Sequence, residues 1–119
     1  MPGRRRPRRI TYLEAAADDV RRLFRQDRAL GLVVLQRLTD LAKGALTGEP
    51  LEQRPSADLA DCRKIYVGTT GGRPTHRIVY RDVAGPVVEV IEVVAVGPRE
   101  GLAVYLEAAE RLGRRSPTP

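Results

Sequence analysis

The hydrophobic period changes twice along the chain, and this change constrains the fold more than any other feature of the sequence. Between residues 13 and 45, apolar side chains recur every three or four positions, which is typical of amphipathic helices. Between residues 62 and 96, β-branched and alternating residues dominate segments that are separated by Gly and Pro, which favours strands. Helical spacing returns after Pro98. Because neither period prevails, the sequence predicts an α+β fold.

The first half of the chain predicts two helices that fold back on each other. One begins near Leu13, where Thr11 and Glu14 have the spacing of a capping box. The other runs from about Arg28 to Ala45 and is terminated by the Gly and Pro residues that follow. The connection between the helices is too short for a domain boundary, so an αα-hairpin is expected.

Four strands and a last helix complete the prediction. Ile10–Tyr12 is a candidate edge strand, and residues 48–60 form a polar loop. The later elements are strands at Cys62–Val67, His76–Asp82 and Val87–Val96, and a helix at Arg99–Leu112. Short connectors favour antiparallel pairing of these strands, and the β-branched third one favours a central position. We expect an N-terminal strand, a helical hairpin, an antiparallel β-meander and a C-terminal helix, with the helices covering one face of the sheet.

A single domain is expected from the length of 119 residues. We assign residues 1–8 to a basic flexible arm, residues 9–113 to the domain and residues 114–119 to a flexible tail. No apolar h-region follows the basic start, and no apolar stretch reaches the roughly 20 residues that span a bilayer. The sequence therefore predicts a cytoplasmic protein without a membrane partner.

The charge of the chain favours an acidic polymer as a partner. Lys and Arg total 21 against 15 Asp and Glu, which gives a formal net charge of +6. Only Lys43 and Lys64 are lysines, so the other 19 basic residues are arginines. Arginine binds phosphate through two parallel hydrogen bonds and stays charged at any relevant pH. On charge alone, a soluble basic protein without such a partner is an equally good interpretation.

Alternation along the predicted strands places several polar side chains on one face of the sheet. This set consists of Lys64, Tyr66, Arg77 and Arg81. An ordinary solvated face is the competing interpretation. Arg99 and Tyr105 add to the set, since Arg99 directly follows a strand end, where functional side chains are commonly presented. Arginines and tyrosines that converge on one face supply much of what RNA cleavage requires.

Metal and thiol chemistry have little support in the sequence, and no cofactor is expected. Cys62 is the only cysteine and His76 the only histidine, so no disulfide and no metal site of usual spacing is indicated. We expect His76 to face the core beside Ile78, and Cys62 to fill apolar space. Glu89 and Glu92 are possible bases, but their spacing sends them to opposite faces, and a salt bridge to Arg is the simpler role.

Three segments together resemble the RelE/ParE toxin superfamily. They are Arg63-Lys64-Ile65, His76–Arg81 (HRIVYR) and Val93–Tyr105 (VVAVGPREGLAVY), in this order after a helical hairpin. The likeness covers roughly residues 8–113. It rests on the ordered series rather than on one short motif, and it implies the same α+β fold.

The resemblance also implies a function. Proteins of the RelE branch are ribosome-dependent endoribonucleases that a cognate antitoxin neutralises, so the implied partners are the ribosome, messenger RNA and an antitoxin protein. Residue by residue, the likeness assigns Lys64, Arg77, Arg99 and Tyr105 to the catalytic face, and we expect Tyr66, Arg81 and Arg63 to contact RNA. The RelE pattern tends to place a second lysine two residues after the first, where this chain has Tyr66.

Metal-free RNA cleavage uses the ribose 2′-OH as the nucleophile on the adjacent phosphate. The reaction needs a base for this hydroxyl, cations for the phosphate and a proton for the 5′-oxygen. Arg77 and Lys64 suit the phosphate, and Arg99 suits an electrostatic role because the pKa of arginine exceeds about 12. Tyr105 and Tyr66 are candidates to stack on a base or to accept a proton, because neighbouring cations lower the pKa of tyrosine.

Two other functions fit the same sequence. A ParE-like inhibitor of DNA gyrase shares the fold and cuts no RNA, although the basic residues and Tyr105 favour a nuclease. A non-catalytic homologue that only binds RNA or an antitoxin is suggested by Tyr66 in the place of a lysine.

Overall fold

The computed structural model describes residues 8–51, 59, 61–70, 73–84, 89–98 and 103–113. In chain order its elements are β1 (Arg9–Tyr12), α1 (Glu14–Gln26), α2 (Arg28–Lys43), β2 (Glu49–Pro50), β3 (Cys62–Thr70), β4 (Arg73–Val83), β5 (Val90–Pro98) and α3 (Ala103–Arg111). The predicted α+β class is confirmed, and so is the order of the helices and longer strands. The short β2 lies inside the segment that was expected to be a polar loop.

Several predicted features lie outside the described residues. They are residues 1–7 of the basic arm, most of the 48–60 loop, the Gly71-Gly72 connection, Arg99 and the 114–119 tail. Arg8, the last residue assigned to the arm, is described. Its guanidinium donates to Asp82 Oδ1 at 2.8 Å and to the Leu41 carbonyl at 2.7 Å. Arg8 is therefore held against the domain, with 9% of its side chain exposed.

The ends of the two N-terminal helices differ in how they are capped. α1 begins after Leu13 without a side-chain cap. The capping box predicted at Thr11 and Glu14 is wrong, because Thr11 belongs to β1. α2 is capped by Asp27, which accepts a hydrogen bond from the Leu30 N–H at 3.1 Å and forms the whole connection of the predicted αα-hairpin. Within the described ranges, no helix is long and apolar enough to cross a bilayer.

The strands form one sheet with the order β1-β5-β4-β3-β2. β3, β4 and β5 make the predicted antiparallel meander, and β1 adds to β5 in parallel. β5 therefore has a strand on either side, as its β-branched sequence predicts. β2 pairs with β3 over two residues only, and a proline in such a short edge strand leaves no periodic signal in the sequence.

The face of the sheet under α1 and α2, called the hairpin face below, carries the larger core. Alternate strand residues point to it, namely Ile65, Val67, Ile78, Tyr80, Ile91, Val93 and Val96. They pack against one stripe of the helical hairpin, formed by Ala16, Val20, Leu23, Val34, Leu38 and Leu41. The period of two in the strands and the period of 3.6 in the helices thus meet in one apolar layer.

The opposite face, called the α3 face below, has a second core. Its strand residues Val79, Val94 and Ala95 pack against Val104, Tyr105, Ala108 and Ala109 of α3. The expectation that all helices cover one face is therefore wrong. Neighbouring residues Ile78 and Val79 enter different cores, so β4 carries apolar side chains at both parities and needs a cover on both faces.

A β-bulge in β5 supplies the α3 face with two consecutive apolar side chains. Val79 pairs with Ala95 and Tyr80 pairs with Val93, so Val94 is the extra residue. Val94 and Ala95 both belong to the second core. Because of the bulge, β5 packs two adjacent side chains against α3, while Ile91, Val93 and Val96 still point to the hairpin face.

A buried ion pair joins α1 and α3 along the edge of β5. Asp19 is 4% exposed, and its carboxylate accepts hydrogen bonds from Arg111 at 2.7 and 3.1 Å and from the Val96 N–H at 3.0 Å. Arg111 also donates to the Val94 carbonyl at 2.9 Å. The pairing of β1 with β5 ends at Val93, so these two side chains bond the backbone of the next part of β5.

Candidate active site

A polar cluster lies on the part of the α3 face that borders β3. Tyr66 is directly opposite Arg77 in the strand register, and Lys64 is opposite Val79. Directly opposed residues point to the same face, so the register confirms the predicted grouping of Lys64, Tyr66 and Arg77. All three side chains are half-buried. With Tyr105 of α3 they form what we call the Arg–Tyr cluster.

Lys64 and Tyr66 share a hydrogen bond along β3. Lys64 Nζ donates to Tyr66 Oη at 2.9 Å, and the same nitrogen lies 5.0 Å from the centroid of the ring. This hydrogen bond lowers the pKa of the Tyr66 phenol, and the charge of Arg77 lowers it further. The same bond raises the pKa of Lys64. As the pH rises, the pair therefore loses its first proton from Tyr66 and keeps the charge on Lys64.

The guanidinium of Arg77 contacts two tyrosine rings. Its Cζ lies 5.5 Å from the ring centroid of Tyr66 and 4.6 Å from that of Tyr105. Both distances are within the cation–π range of about 6 Å. These contacts restrain the guanidinium plane, so its donors are oriented before a ligand arrives.

Tyr105 supports Arg77 from within the second core. Its side chain is 1% exposed and packs among the apolar residues under α3. Helical spacing in the sequence shows which residues share a stripe, but it does not show which sheet face that stripe covers. Tyr105 therefore joins the cluster by its contact with the Arg77 guanidinium, and its ring is buried.

A groove of about 320 Å³ borders the cluster at the edge of β3. Lys64, Tyr66, the segment Leu46–Glu49 and Arg37 of α2 line it. Arg37 and Glu49 were not among the predicted site residues. Nothing in the sequence distinguishes Arg37 from the other arginines of the helical hairpin. Glu49 comes next to Lys64 because β2 pairs there, and two residues are too few for a pattern.

Arg81 and Arg63, both expected to contact RNA, bond to other parts of the chain. Arg81 lies on the α3 face, where its Nε donates to Glu92 Oε1 at 2.7 Å, so the salt bridge expected for Glu92 is confirmed. Arg63 has the opposite parity to Lys64, and its Nη1 donates to the Gly48 carbonyl at 2.9 Å. The structure keeps Arg81 on the face of the cluster and sets Arg63 apart from it.

His76 and Cys62 have the surroundings that the sequence predicts. His76 shares the parity of Ile78 on β4, its Nδ1 lies 2.9 Å from Thr75 Oγ1, and burial lowers the pKa of its imidazole. Cys62 is fully buried in the second core. Neither side chain belongs to the Arg–Tyr cluster.

Arg99 cannot be placed in the site, because it lies outside the described residues. The described part of β5 ends at Pro98, opposite His76, and Gly97 pairs with Arg77. The role that the sequence assigns to Arg99 therefore stays a prediction.

Comparison with known proteins identifies the fold. No family model and no curated protein matches the chain by sequence. Among solved structures, an Escherichia coli RelE toxin in the free state, with two arginines replaced by alanine, matches 90% of this chain and 99% of its own, with a TM-score of 0.65 and 23% identity. The chain has the RelE/ParE toxin fold.

Two further structures share the RelE/ParE fold with this chain. A YoeB/ParE toxin from Agrobacterium tumefaciens is 19% identical, with a TM-score of 0.59 over 76% of this chain and 98% of its own. The toxin–antitoxin complex RelBE2 from Mycobacterium tuberculosis gives 25% identity and a TM-score of 0.54, over 79% of this chain and 100% of the other. The fold implied by the sequence resemblance is therefore confirmed, and the chemistry must follow from the side chains.

Proposed function

We propose that this protein is the toxin of a type II toxin–antitoxin system and that it cleaves messenger RNA on the ribosome. The Arg–Tyr cluster carries the proposal, because Lys64 and Tyr66 line a groove on a sheet of the RelE/ParE fold, and Arg77 contacts the Tyr66 ring from the neighbouring strand. The net charge of +6 adds a general attraction for RNA. Cleavage proceeds by attack of a ribose 2′-OH on the adjacent phosphate, without a cofactor.

Lys64 and Arg77 stabilise the charge that gathers on the phosphate during this attack. Both are held before the substrate binds, Lys64 by its hydrogen bond to Tyr66 and Arg77 by its contacts with the two tyrosine rings. Such preorganised donors gain strength in the transition state, and removing one typically costs about 10²- to 10³-fold in rate.

The remaining predicted residues support this arrangement. We assign Tyr105 the positioning of Arg77, because its ring is buried against the guanidinium. Arg99 is assigned to the phosphate on sequence grounds. Arg81 is assigned to the RNA backbone on the same face, and Arg63 to holding the segment at Gly48.

An antitoxin is the expected protein partner, acting in the cytoplasm where ribosomes are found. The matched RelBE2 structure is a toxin–antitoxin complex. In this chain, the positive charges of Lys64 and Arg77 would attract an acidic or amphipathic segment that could mask the site.

Inhibition of DNA gyrase is the second candidate function. It is favoured by the likeness to a structure that is named a YoeB/ParE toxin, since one fold can host both activities. The Arg–Tyr cluster favours RNA cleavage, because a gyrase inhibitor has no use for a preorganised phosphate site.

Mapping of new 5′ ends on cellular transcripts tests the proposal. The chain is induced without its antitoxin, next to an Arg77→Ala/Arg99→Ala variant and next to an Arg25→Ala variant, whose arginine is exposed on α1. We expect cuts within translated codons for the wild-type and Arg25→Ala proteins, and none for the double variant.

Three other outcomes would contradict the proposal. Cleavage that is unchanged in the Arg99→Ala/Tyr105→Ala variant would show that these residues do not belong to an active site. Growth arrest with intact transcripts and blocked supercoiling by the purified protein would establish gyrase as the target. Harmless expression of the wild-type protein would identify a non-catalytic homologue.

A further inference from the structure

We infer that the phenolate of Tyr66 is the base that accepts the 2′-OH proton. This inference rests on the proposed RNA cleavage and names the residue that the family resemblance leaves open. It concerns a position at which this chain differs from the RelE pattern, because a tyrosine replaces the second lysine.

The position of Tyr66 is that of a group able to reach a substrate. It lines the groove at the edge of β3, and its side chain is half-buried, whereas Tyr105 is 1% exposed under α3. Both phosphate-binding candidates lie next to it, with Lys64 Nζ at 2.9 Å from its oxygen and Arg77 Cζ at 5.5 Å from its ring centroid. A phosphate bound by these two cations would bring the neighbouring 2′-OH close to Tyr66 Oη.

The charges around Tyr66 favour its ionised form. Lys64 faces it from its own strand and Arg77 from β4, while Tyr105 of α3 contacts Arg77 as well. Glu49 of β2 lies opposite Lys64, and Arg37 of α2 lines the same groove. The hydrogen bond from Lys64 lowers the pKa of Tyr66 and raises that of Lys64. Tyr66 is thus the member of the pair that is available as a base, and Lys64 stays a cation.

The other titratable groups of the described region are less suited to this role. Glu92 is bonded to Arg81 at 2.7 Å. His76 points to the hairpin face, away from the cluster. Among the described residues that line the groove, Glu49 is the one carboxylate, and the experiment below separates it from Tyr66.

The proton balance of the step is complete. Tyr66 O⁻ takes the proton of the 2′-OH, the 2′-oxygen forms a bond to phosphorus, and the bond from phosphorus to the 5′-oxygen breaks. The departing 5′-oxygen takes a proton from solvent water, or from the Lys64 ammonium, which solvent then reprotonates. The products are a 2′,3′-cyclic phosphate and a 5′-hydroxyl, and Tyr66 returns its proton to solvent.

The deciding experiment is the pH dependence of single-turnover cleavage of a defined message on purified ribosomes. For the wild-type protein we expect the rate to rise with pH and to level off where Tyr66 is ionised. Tyr66→Phe should lower the rate by about 10²- to 10⁴-fold, the usual contribution of a general base, and remove the rise. A fluorinated tyrosine at position 66, which is more acidic at nearly the same size, should move the rise to lower pH.

Two controls make the shift specific. The same fluorinated tyrosine at Tyr12, which lies on the edge strand β1 and is 37% exposed, should leave the profile in place. Glu49→Gln should keep the rise at the wild-type pH. A rise that disappears in Glu49→Gln and persists in Tyr66→Phe would assign the base to Glu49 and overturn the inference.

A second measurement does not depend on activity. The ultraviolet absorbance of phenolate, compared between wild type and Tyr66→Phe, reports the titration of Tyr66 in the free protein. Lys64→Met should move this titration to higher pH, and an unchanged titration would contradict the inference. Cleavage by the wild-type protein with an unaltered Tyr66→Phe rate would overturn only the base, whereas wild-type protein that never cleaves would overturn the proposed function and the base with it.

Discussion

The two faces of the sheet are built by the same three strands, yet they place a tyrosine in opposite electrostatic environments. On the hairpin face Tyr80 is 1% exposed, and burial raises the pKa of its phenol. On the α3 face Tyr66 stands half-buried beside two cations, and the hydrogen bond from Lys64 lowers its pKa. The helical hairpin covers one face, and among the described residues the other is covered by α3 together with Leu51 and Leu59. Lys64 and Tyr66 lie on this second face and line the groove at the edge of β3.

The largest effect is expected from removing the buried ion pair between Asp19 of α1 and Arg111 of α3, which joins the helices on the two faces of the sheet. Asp19→Ala leaves Arg111 without its buried carboxylate partner and Val96 without a hydrogen-bond acceptor, so we expect a loss of about 3–5 kcal/mol in the free energy of unfolding. Urea denaturation measures it. Asp18→Ala, one residue away in an exposed pair with Arg21, should cost less than about 1 kcal/mol. Equal losses in the two variants would show that the buried pair of Asp19 and Arg111 does not stabilise the fold more than an exposed pair does.

A cavity on the hairpin face should destabilise the protein and spare its chemistry. Ile78 is fully buried, so Ile78→Ala should lower the free energy of unfolding by about 2–5 kcal/mol. Its neighbour Arg77 points to the other face, and Arg77→Ala should lower cleavage with a smaller loss of stability. Denaturation and cleavage per folded molecule are measured for both variants. A cleavage defect in Ile78→Ala at full folding would contradict the separation of the two faces.

Removal of the hydroxyl of Tyr80 tests a buried hydrogen bond on the hairpin face. Tyr80 Oη accepts from the Gly48 N–H at 2.8 Å, so Tyr80→Phe should cost about 1–3 kcal/mol by leaving this donor unpaired. Because the pKa of Tyr80 is raised in the folded state, its neutral form stabilises the fold below about pH 10, and this contribution is lost as the pH rises further. Above about pH 10, the free energy of unfolding should decrease with pH less steeply in Tyr80→Phe than in wild type. Identical slopes would contradict this assignment.

The smallest effect concerns the ring that supports Arg77. Tyr105→Phe keeps a ring 4.6 Å from the guanidinium, whereas Tyr105→Leu removes the cation–π contact. We expect Tyr105→Leu to cleave several-fold to about ten-fold more slowly than Tyr105→Phe, which corresponds to about 1 kcal/mol. Single-turnover rates on ribosomes compare the two. Equal rates would mean that the ring does not orient Arg77.

The sequence was sufficient for features that depend on short-range periodicity. Alternation in β3 and β4 placed Lys64, Tyr66 and Arg77 on one face, and the strand register bears this out. The same alternation places Arg63 and Lys64 on opposite faces, so it argues against grouping Arg63 with the RNA-binding residues of the α3 face. Parity is local, so it can be deduced from neighbouring residues alone.

Features that depend on contacts between distant segments were beyond the sequence. The side of the sheet that α3 covers is set by apolar residues of β4 and β5 together, including the bulge at Val94. The burial of Tyr105 follows from that choice. Glu49 reaches the site through a two-residue pairing with β3. None of these leaves a repeating pattern in its own segment.

The pair of Asp19 and Arg111 has a consequence for how copies of the chain meet one another. An uncovered strand edge offers its N–H and C=O groups to a strand of another molecule, which is a common start of aggregation. Here the Val96 N–H and the Val94 carbonyl are already bonded to side chains. Beyond Val93, a foreign strand would have to displace a buried ion pair before it could bond to these groups. The pair thus hinders the addition of a strand from another molecule at a part of β5 that is rich in valine and alanine.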